Sequence, residues 1–388
     1  MSDCIDVAIV GGGVVGCWLA LELSTRWENV FVFEKNPGVT QGDNQSSRNS
    51  GVLHAGINYD RKTRPLKARL CVEGNRIWYE FCTRYGIPCK KTGKLMVAAS
   101  EEQMPLLEEY FRRAQANHVP EVRMVSSREI RELEPNVRGH AGLLVPTSGI
   151  IEPTRATYQV HALASNLGAQ FVTQTRALSI SATARGPELR IRYRDGIEET
   201  VSCRWVINSG GVRAVDLART LDPSLRVRPA LIRGDSTKFY RTRRPELFVK
   251  GMNVYPTPIV VDTGSGPQHT VGVHLTPTFD LRNGEWVIGD TITVGPKLVP
   301  VSHPEDHSSP GPPAEVFVAD LPFFPDLTAG DLEPHQGGVQ ARLVDYPDFL
   351  ITPDRTCPHV IHLLGIDSPG LTSAPAIARM VSRMLAAP

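Results

Sequence analysis

Four pieces follow one another without a gap at the start of this chain: a strand, a glycine-rich turn, a helix and a second strand closed by an acid. Ile5–Val10 is a short apolar run of β-type residues and reads as a buried parallel strand. Gly11-Gly12-Gly13-Val14-Val15-Gly16 follows at once. A helical pattern then runs through Cys17, Leu19, Ala20, Leu21 and Leu23, and Val30–Phe33 reads as a second strand ending in Glu34. This is a βαβ unit carrying GxGxxG, and its glycines have separate tasks. One makes a tight turn, one admits a pyrophosphate close to the backbone, and one lets the helix pack closely on the strand. The helix start offers unpaired N–H groups to phosphate. Glu34 suits the hydroxyls of a ribose and would repel a 2′-phosphate. The unit therefore predicts a dinucleotide and by itself leaves FAD and NAD equally open.

Two further strand–glycine–helix units lie far along the chain. Arg204–Ser209 leads into Gly210-Gly211 and a helix to about Leu221, and His359–Leu364 leads into Gly365–Gly370 and a helix to about Leu385. Nucleotide-fold signals at the start, middle and end predict one domain assembled from separated segments, with the intervening stretches inserted as a second domain. Those stretches read as mixed α and β. Gly93–Ala99 is a strand, Glu101–Asn117 an amphipathic helix, and Leu189–Tyr193 with Thr200–Cys203 a meander around Asp195-Gly196. Residues 245–300 hold several short β runs. Val301–Pro313, rich in Pro and Ser, predicts a mobile, non-catalytic loop.

Composition narrows the function. Lys plus Arg number 42 against 41 Asp plus Glu, a net charge of +1, which argues against a dedicated nucleic-acid binder. The seven cysteines form no CxxC pair or zinc spacing and read as reduced thiols of a reducing compartment. No apolar run approaches the roughly 18 residues of a spanning helix, and no secretory leader is evident. These features predict a cytoplasmic protein without a transmembrane segment and leave peripheral membrane association open. His303 and His307 stand four apart, but Pro304 and the following SSPGPP oppose a helix there, so no metal site is expected. His359 and His362, three apart in a strand, face opposite sides.

Beyond Glu34-Lys35 comes Ser46-Ser47-Arg48-Asn49-Ser50-Gly51-Val52-Leu53-His54-Ala55-Gly56-Ile57-Asn58-Tyr59. This run resembles the FAD-dependent oxidoreductases of the D-amino-acid oxidase (DAO) superfamily, and within it the L-2-hydroxyglutarate dehydrogenase/oxidase-like branch. Further matching stretches occur in family order, among them Gly93-Lys94-Leu95, Arg233-Gly234-Asp235, Val254–Pro258, Gly272–Pro277 and Ser368–Thr372. They extend the resemblance over nearly the whole chain. Asn208-Ser209-Gly210-Gly211 departs from it where the family usually has an alanine before the last glycine, and Glu152 stands where Asp is more usual. The resemblance implies an α/β fold. A Rossmann-type FAD-binding domain would comprise residues 1–84, 147–222 and 333–388. An inserted α+β substrate domain, a mixed or antiparallel sheet with helices, would comprise 85–146 and 223–332. It implies non-covalent FAD, held by Gly11, Gly13, Val14, Val15, Gly16, Glu34, Lys35, Ser47, Arg48, Asn49, Ser50, Gly51, Ala177, Gly210, Gly211, Gly338, Gly365, Ser368, Pro369, Gly370, Leu371 and Thr372.

The implied reaction is oxidation of a small 2-hydroxy acid to the 2-oxo acid by hydride transfer to flavin N5. It needs a base for the hydroxyl proton and a cation for the carboxylate. Neutral histidine suits the first task, and His54 and His274 are the candidates, with their two roles left unassigned. Lys94, Arg233 and Arg342 are candidates for the carboxylate, and Tyr255 for a hydrogen bond to substrate. The partner is thus a small-molecule carboxylate. The electron acceptor stays open between oxygen, a quinone and another flavoprotein. An amino-acid or amine oxidase of the same superfamily, a non-catalytic flavin-binding protein and an NAD-dependent dehydrogenase are the competing readings.

Overall fold

In the computed structural model, residues 4–247, 249–262, 267–307, 310–344 and 346–385 are described. The chain divides into two compact units. The first comprises residues 1–47, 153–231 and 340–388, and the second 48–152 and 232–339.

The first unit is built on a sheet with Ile5–Val10 at its centre. Glu198–Asn208 lies parallel to it on one side and Val30–Phe33 on the other, with Gln170–Val172 parallel beyond. Ile5–Val10 is apolar at nearly every position because both faces are covered, and Ala8, Val10, Phe33, Val206 and Val360 pack in one core. The helix Val14–Leu23 is buried on most sides, through Val14, Cys17, Trp18, Leu19, Ala20 and Leu23, so it has no need of a polar face. It packs on Pro153–Asn166 and Gly370–Met384. The predicted strands Thr200–Cys203 and Arg204–Ser209 are one strand, Glu198–Asn208. Its first half is antiparallel to Gly186–Arg192 in the predicted meander. Its second half runs parallel to Ile5–Val10 and to Val360–Leu364.

The second unit carries an eight-stranded mixed sheet. Its order is Glu333–Leu343, Pro229–Tyr240, Glu285–Pro300, His274–Arg282, Asn253–Pro256, Lys94–Ala98, Ala141–Val145 and Arg123–Ser126. Asn253–Pro256 and Lys94–Ala98 run parallel; their outer neighbours are antiparallel to them. One face, with Leu95, Val97, Val254, Leu275 and Val294, packs on Phe317, Phe323 and Phe324. On the other face Met96, Ala98 and Leu143 pack against Leu107, Tyr110 and Ala114 of the helix Met104–Ala116.

The observed partition differs from the expected boundaries chiefly at residues 48–84, which fall in the second unit. Val52–Leu53 pairs there with Gly149–Ile151. The helix Pro65–Tyr85 is tied in by Asn75 Nδ2, which donates to the carbonyls of His54 and Thr147 at 3.0 Å each. Residues 147–152 and 333–339 also fall in the second unit, and 223–231 in the first.

The strand Asn253–Pro256 is positioned by a buried acid. Glu134, fully buried, accepts hydrogen bonds from the backbone N–H groups of Lys250 (2.7 Å), Gly251 (3.2 Å) and Met252 (2.9 Å). Burial raises its pKa against the lowering effect of those three bonds. Glu134→Ala would leave three donors without their acceptor, so we expect a loss of about 3 kcal/mol or more. A lower urea midpoint at unchanged m-value checks this.

Candidate functional site

In the first unit the glycine turn sits at the carboxyl ends of the parallel strands. Gly11 has φ +95°, and a Cβ there would lie 2.7 Å from the carbonyl oxygen of Ser209. A Cβ at Gly16 would come within 1.9 Å of the Gly11 carbonyl oxygen, so helix and turn touch through hydrogen only. Gly13 is the N-cap of the helix, in extended conformation and without a side-chain cap. Ser46 Oγ accepts from the N–H of Val14 at 2.9 Å, and Val15 and Gly16 belong to the first turn, whose N–H groups have no intrahelical acceptor. Glu34 is buried and accepts from the N–H groups of Gly12 (2.6 Å) and Asn36 (2.8 Å). Burial raises its pKa, and those two bonds oppose the rise.

Other predicted cofactor residues divide between the units. Gly210 and Gly211 follow Asn208 in the turn that abuts Gly11. Lys35 pairs with Asp43 at 2.5 Å beside a pocket that Gln174, Arg176 and Tyr193 also line. Ala177 packs at the edge of the first core. Gly365 has φ +71°, and Gly370, Leu371 and Thr372 open the last helix behind Ser368 and Pro369. Ser47 belongs to the first unit, but Arg48, Asn49, Ser50, Gly51 and Gly338 belong to the second. There the Asn49 carbonyl accepts from Gln336 Nε2 at 3.0 Å, and Asn49 Oδ1 accepts from the Gly51 N–H at 2.8 Å. Ser46 escaped prediction because its contact spans 32 residues of sequence and leaves no periodic trace.

In the second unit, sheet register brings together residues that the sequence offers singly. Asn253 pairs with Lys94 and Tyr255 with Met96 across the parallel strands, while Val254 pairs with Leu275. Alternation then puts Lys94, Tyr255, His274 and Thr276 on the face opposite the phenylalanine core. Tyr255 and His274 stack with ring centroids 3.8 Å apart and planes inclined by 12°. Lys94 Nζ lies 3.8 Å from the Tyr255 centroid and 3.4 Å from His54 Nδ1. His274 Nδ1 donates to the Gly272 carbonyl at 3.0 Å, which leaves Nε2 as the lone-pair nitrogen. That nitrogen, the Tyr255 hydroxyl and Thr276 Oγ1 are buried without a hydrogen-bond partner among the described residues.

The electrostatics of the cluster follow from burial, with no acid paired to it among the described residues. Burial pushes the Lys94 pKa down to about 7, opposed by the Cys71 thiol. Burial, and then the Lys94 charge and His274, hold His54 well below the ordinary histidine value. His274 is pushed down to about 3, mainly by burial, against its bond to Gly272. Both imidazoles are therefore neutral near pH 7. His54 is half-buried, whereas Lys94, Tyr255 and His274 are buried.

Two carboxylate candidates are committed elsewhere. Arg233, 1% exposed, donates to Asp235 through Nε (2.7 Å) and Nη2 (2.9 Å), to the Asp306 carboxylate through Nη1 (3.2 Å), and to the carbonyls of Asp306 and Pro310 at 3.4 Å each. Its five N–H groups are all engaged, which leaves none for a substrate. The same bonds correct the expectation of a free loop over 301–313, since Asp306 and Pro310 are tied to a buried side chain; residues 308 and 309 lie outside the described residues. Arg342, in the first unit, pairs through Nε with Asp367 at 2.9 Å. Among the described residues no group of three or more His, Cys, Asp and Glu is arranged to hold a metal, and no helix is long and apolar enough to cross a membrane.

A parallel-stranded nucleotide unit and a mixed-sheet unit with a buried basic cluster have the organisation of a dinucleotide-dependent oxidoreductase. The chain belongs to the FAD dependent oxidoreductase (DAO) family, whose model matches residues 6–384. It is 29% identical to the mitochondrial L-2-hydroxyglutarate dehydrogenase of Nematostella vectensis, over 98% of this chain and 90% of that protein. It is 28% identical to the L-2-hydroxyglutarate dehydrogenase of Escherichia coli, over 98% and 93%. Among solved structures it is similar to dithionite-reduced L-α-glycerophosphate oxidase from Mycoplasma pneumoniae with FAD bound. That similarity has a TM-score of 0.84 and 27% identity, and covers 99% of this chain and 95% of that one.

FAD fits the first unit's residues. The Gly11–Gly16 turn admits a pyrophosphate where side chains would not pass, and the helix start supplies N–H donors. Glu34 uses two backbone donors and keeps acceptor capacity for ribose hydroxyls.

Two expected outcomes test this geometry. Gly13→Val meets only Ser46 Oγ within 3 Å, so the variant should fold but purify without flavin absorbance, whereas Gly16→Ala should lose flavin and melt lower as well. Lys94 titrates near 7 folded and near ~10.4 unfolded. Between these values the unfolded chain binds more protons, so stability rises with pH through that window. Lys94→Met should melt higher than the parent protein at pH 7 and lose that slope, as thermal melts from pH 6 to 10 will show.

Proposed function

We propose that this protein oxidises a small 2-hydroxy acid of the L-2-hydroxyglutarate kind to the 2-oxo acid, with the first unit holding FAD and the second carrying the substrate groups. FAD, when bound, supplies the two-electron acceptor for the α-hydrogen. The observation that carries the reading is the His54–Lys94 pair: a half-buried neutral imidazole 3.4 Å from a buried amine, with no carboxylate paired to the amine among the described residues. The names of the relatives support the substrate class.

His54 takes the hydroxyl proton. A protonated Lys94 would oppose that step by placing two cations side by side in a poorly screened site. A neutral Lys94 favours it, because the His54 Nδ1–H can then donate to Nζ. The proton taken up leaves the pair cationic, and the substrate's own carboxylate supplies the counter-charge that the protein lacks there. His274, stacked on Tyr255 with a fixed tautomer, orients the substrate oxygen or the His54 ring. All seven cysteines are free thiols, which supports a reducing compartment and, with it, the cytoplasm.

The test is anaerobic reduction of the purified yellow protein. L-2-hydroxyglutarate should bleach the flavin, and L-α-glycerophosphate and amino acids should do so far less well. Bleaching by amino acids alone would assign the amino-acid oxidase reading, and no bleaching by any donor the non-catalytic one. His54→Asn should slow reduction by about 10²–10⁴-fold while retaining FAD. In the parent protein the reduction rate should rise with pH through about 7 and then level. Lys94→Met should lose that limb. A rate that falls through pH 7 would instead make protonated Lys94 the substrate's cation.

A further inference from the structure

The cofactor turn is backed by a buried polar chain in the first unit. The strands Ile5–Val10, Glu198–Asn208 and Val360–Leu364 are parallel, and register puts Val10 opposite Asn208 and Asn208 opposite His362. The three residues share one level at or near the strands' carboxyl ends, where ligands of such sheets bind. Asn208 is fully buried and His362 is 3% exposed. Asn208 Oδ1 accepts from the Gly210 N–H at 3.2 Å, and Nδ2 donates to the Ala214 carbonyl at 2.8 Å. Nδ2 also faces His362 Nδ1 at 3.1 Å, and His362 Nε2 faces Asp354 Oδ2 at 3.1 Å. Only one tautomer satisfies both contacts: Nε2–H donating to Asp354, with the Nδ1 lone pair accepting from Asn208. Asp354 is itself held by Thr356 and by the N–H groups of Thr356 and Cys357.

The turn so fixed reaches the cofactor loop directly. The Ser209 N–H and Oγ donate to the Val10 carbonyl at 3.1 and 2.8 Å. The Ser209 carbonyl is the atom that a Cβ at Gly11 would strike. Turning the Asn208 amide over would set Nδ2 against the Gly210 N–H and Oδ1 against the Ala214 carbonyl, breaking both anchors of the turn at once.

We propose that His362 is a positioning residue for FAD: as the neutral Nε2–H tautomer held by Asp354, it sets the Asn208 amide and thereby seats the Ser209–Gly211 turn against the dinucleotide loop. The proposal rests on the reading of Gly11–Gly16 as that loop. Protonating His362 would put an N–H on Nδ1 against the Asn208 NH2 and drive the amide over. The charged groups facing the imidazole are Asp354, and Asp222 with its partner Arg355. Burial lowers the His362 pKa, the two acids oppose that, and the net direction is downward. FAD affinity should therefore be flat from pH 8 to 6.5 and weaken in more acid solution.

The experiment is titration of the apoprotein with FAD, followed by flavin fluorescence, from pH 8 to 5. His362→Leu should weaken binding about tenfold at pH 7.5 and abolish the acid limb. His362→Asn, whose side-chain carbonyl can accept from Asn208, should restore affinity and still lack the limb. If the leucine variant fails to fold, Asn208→Asp decides: a carboxylate facing Nδ1 favours the protonated ring, so FAD should bind tighter as pH falls. Parent-like affinity and pH profile in these variants, or a lower apoprotein melting temperature with the acid limb intact, overturns the proposal. Gly13→Val separates it from the reading beneath: undiminished FAD binding there removes the loop assignment, whereas loss there with unaltered His362 variants removes the relay alone.

Discussion

An amine buried with no acid paired to it among the described residues sets the character of the second unit. A protein seldom buries a lysine unless a carboxylate offsets the lost hydration. Lys94 instead lies against the ring of Tyr255 and beside Nδ1 of His54. The uncompensated site makes the amine readily neutral, and burial, reinforced by any charge left on the amine, keeps the adjacent imidazole unprotonated. Adding a carboxylate nearby would stabilise the fold and spoil the site, since it would hold both bases protonated at working pH. The strand pairing that places Lys94 next to Tyr255 and His274 is thus also the pairing that gives it no acid partner among the described residues.

The first unit solves a steric problem by comparable means. Its strands end at one level, so three turns crowd together there, and two of them touch through glycine. Gly16 lies on the Gly11 carbonyl and Gly11 on the Ser209 carbonyl. Such contact leaves no room for error in the turn that follows Asn208, which accounts for the buried polar chain from Asp354 through His362. An apolar side chain in place of Asn208 would leave the Gly210 N–H without its acceptor and remove the second bond to the Ala214 carbonyl, at a cost comparable to losing a hydrogen bond outright.

How far these features are legible in the sequence depends on their range. The opening βαβ unit reads correctly because each of its signals is local: apolar run, glycine turn, helix, second run, acid. The Glu198–Asn208 strand reads as two because its surroundings change midway, from a half-exposed antiparallel edge to a parallel core, and the alternation changes with them. The residues of the basic cluster are individually visible as His54, Lys94, Tyr255 and His274, but their meeting is a consequence of register between strands far apart in sequence. Glu134, Ser46 and the Asp354–His362–Asn208 chain leave no local trace. The division after Ser47 was also hidden, because the run from Ser46 to Tyr59 is continuous as a motif yet changes unit within it.

Arg233 is a different case, because the bonds that engage its donors could be anticipated from the sequence. Arg233 and Asp235 stand two apart in a strand, so their side chains emerge on the same face and within reach of one another. An arginine so placed is paired before any substrate arrives. The observed pair is bidentate, and the remaining donors bind Asp306 and Pro310. Gly337 completes the arrangement, since a Cβ there would lie 2.4 Å from Asp235 Oδ1. Two acids against one guanidinium make this cluster net negative, the opposite of a carboxylate site. It fastens Asp306 and Pro310 of the Pro-rich loop to the sheet by hydrogen bonds and charge.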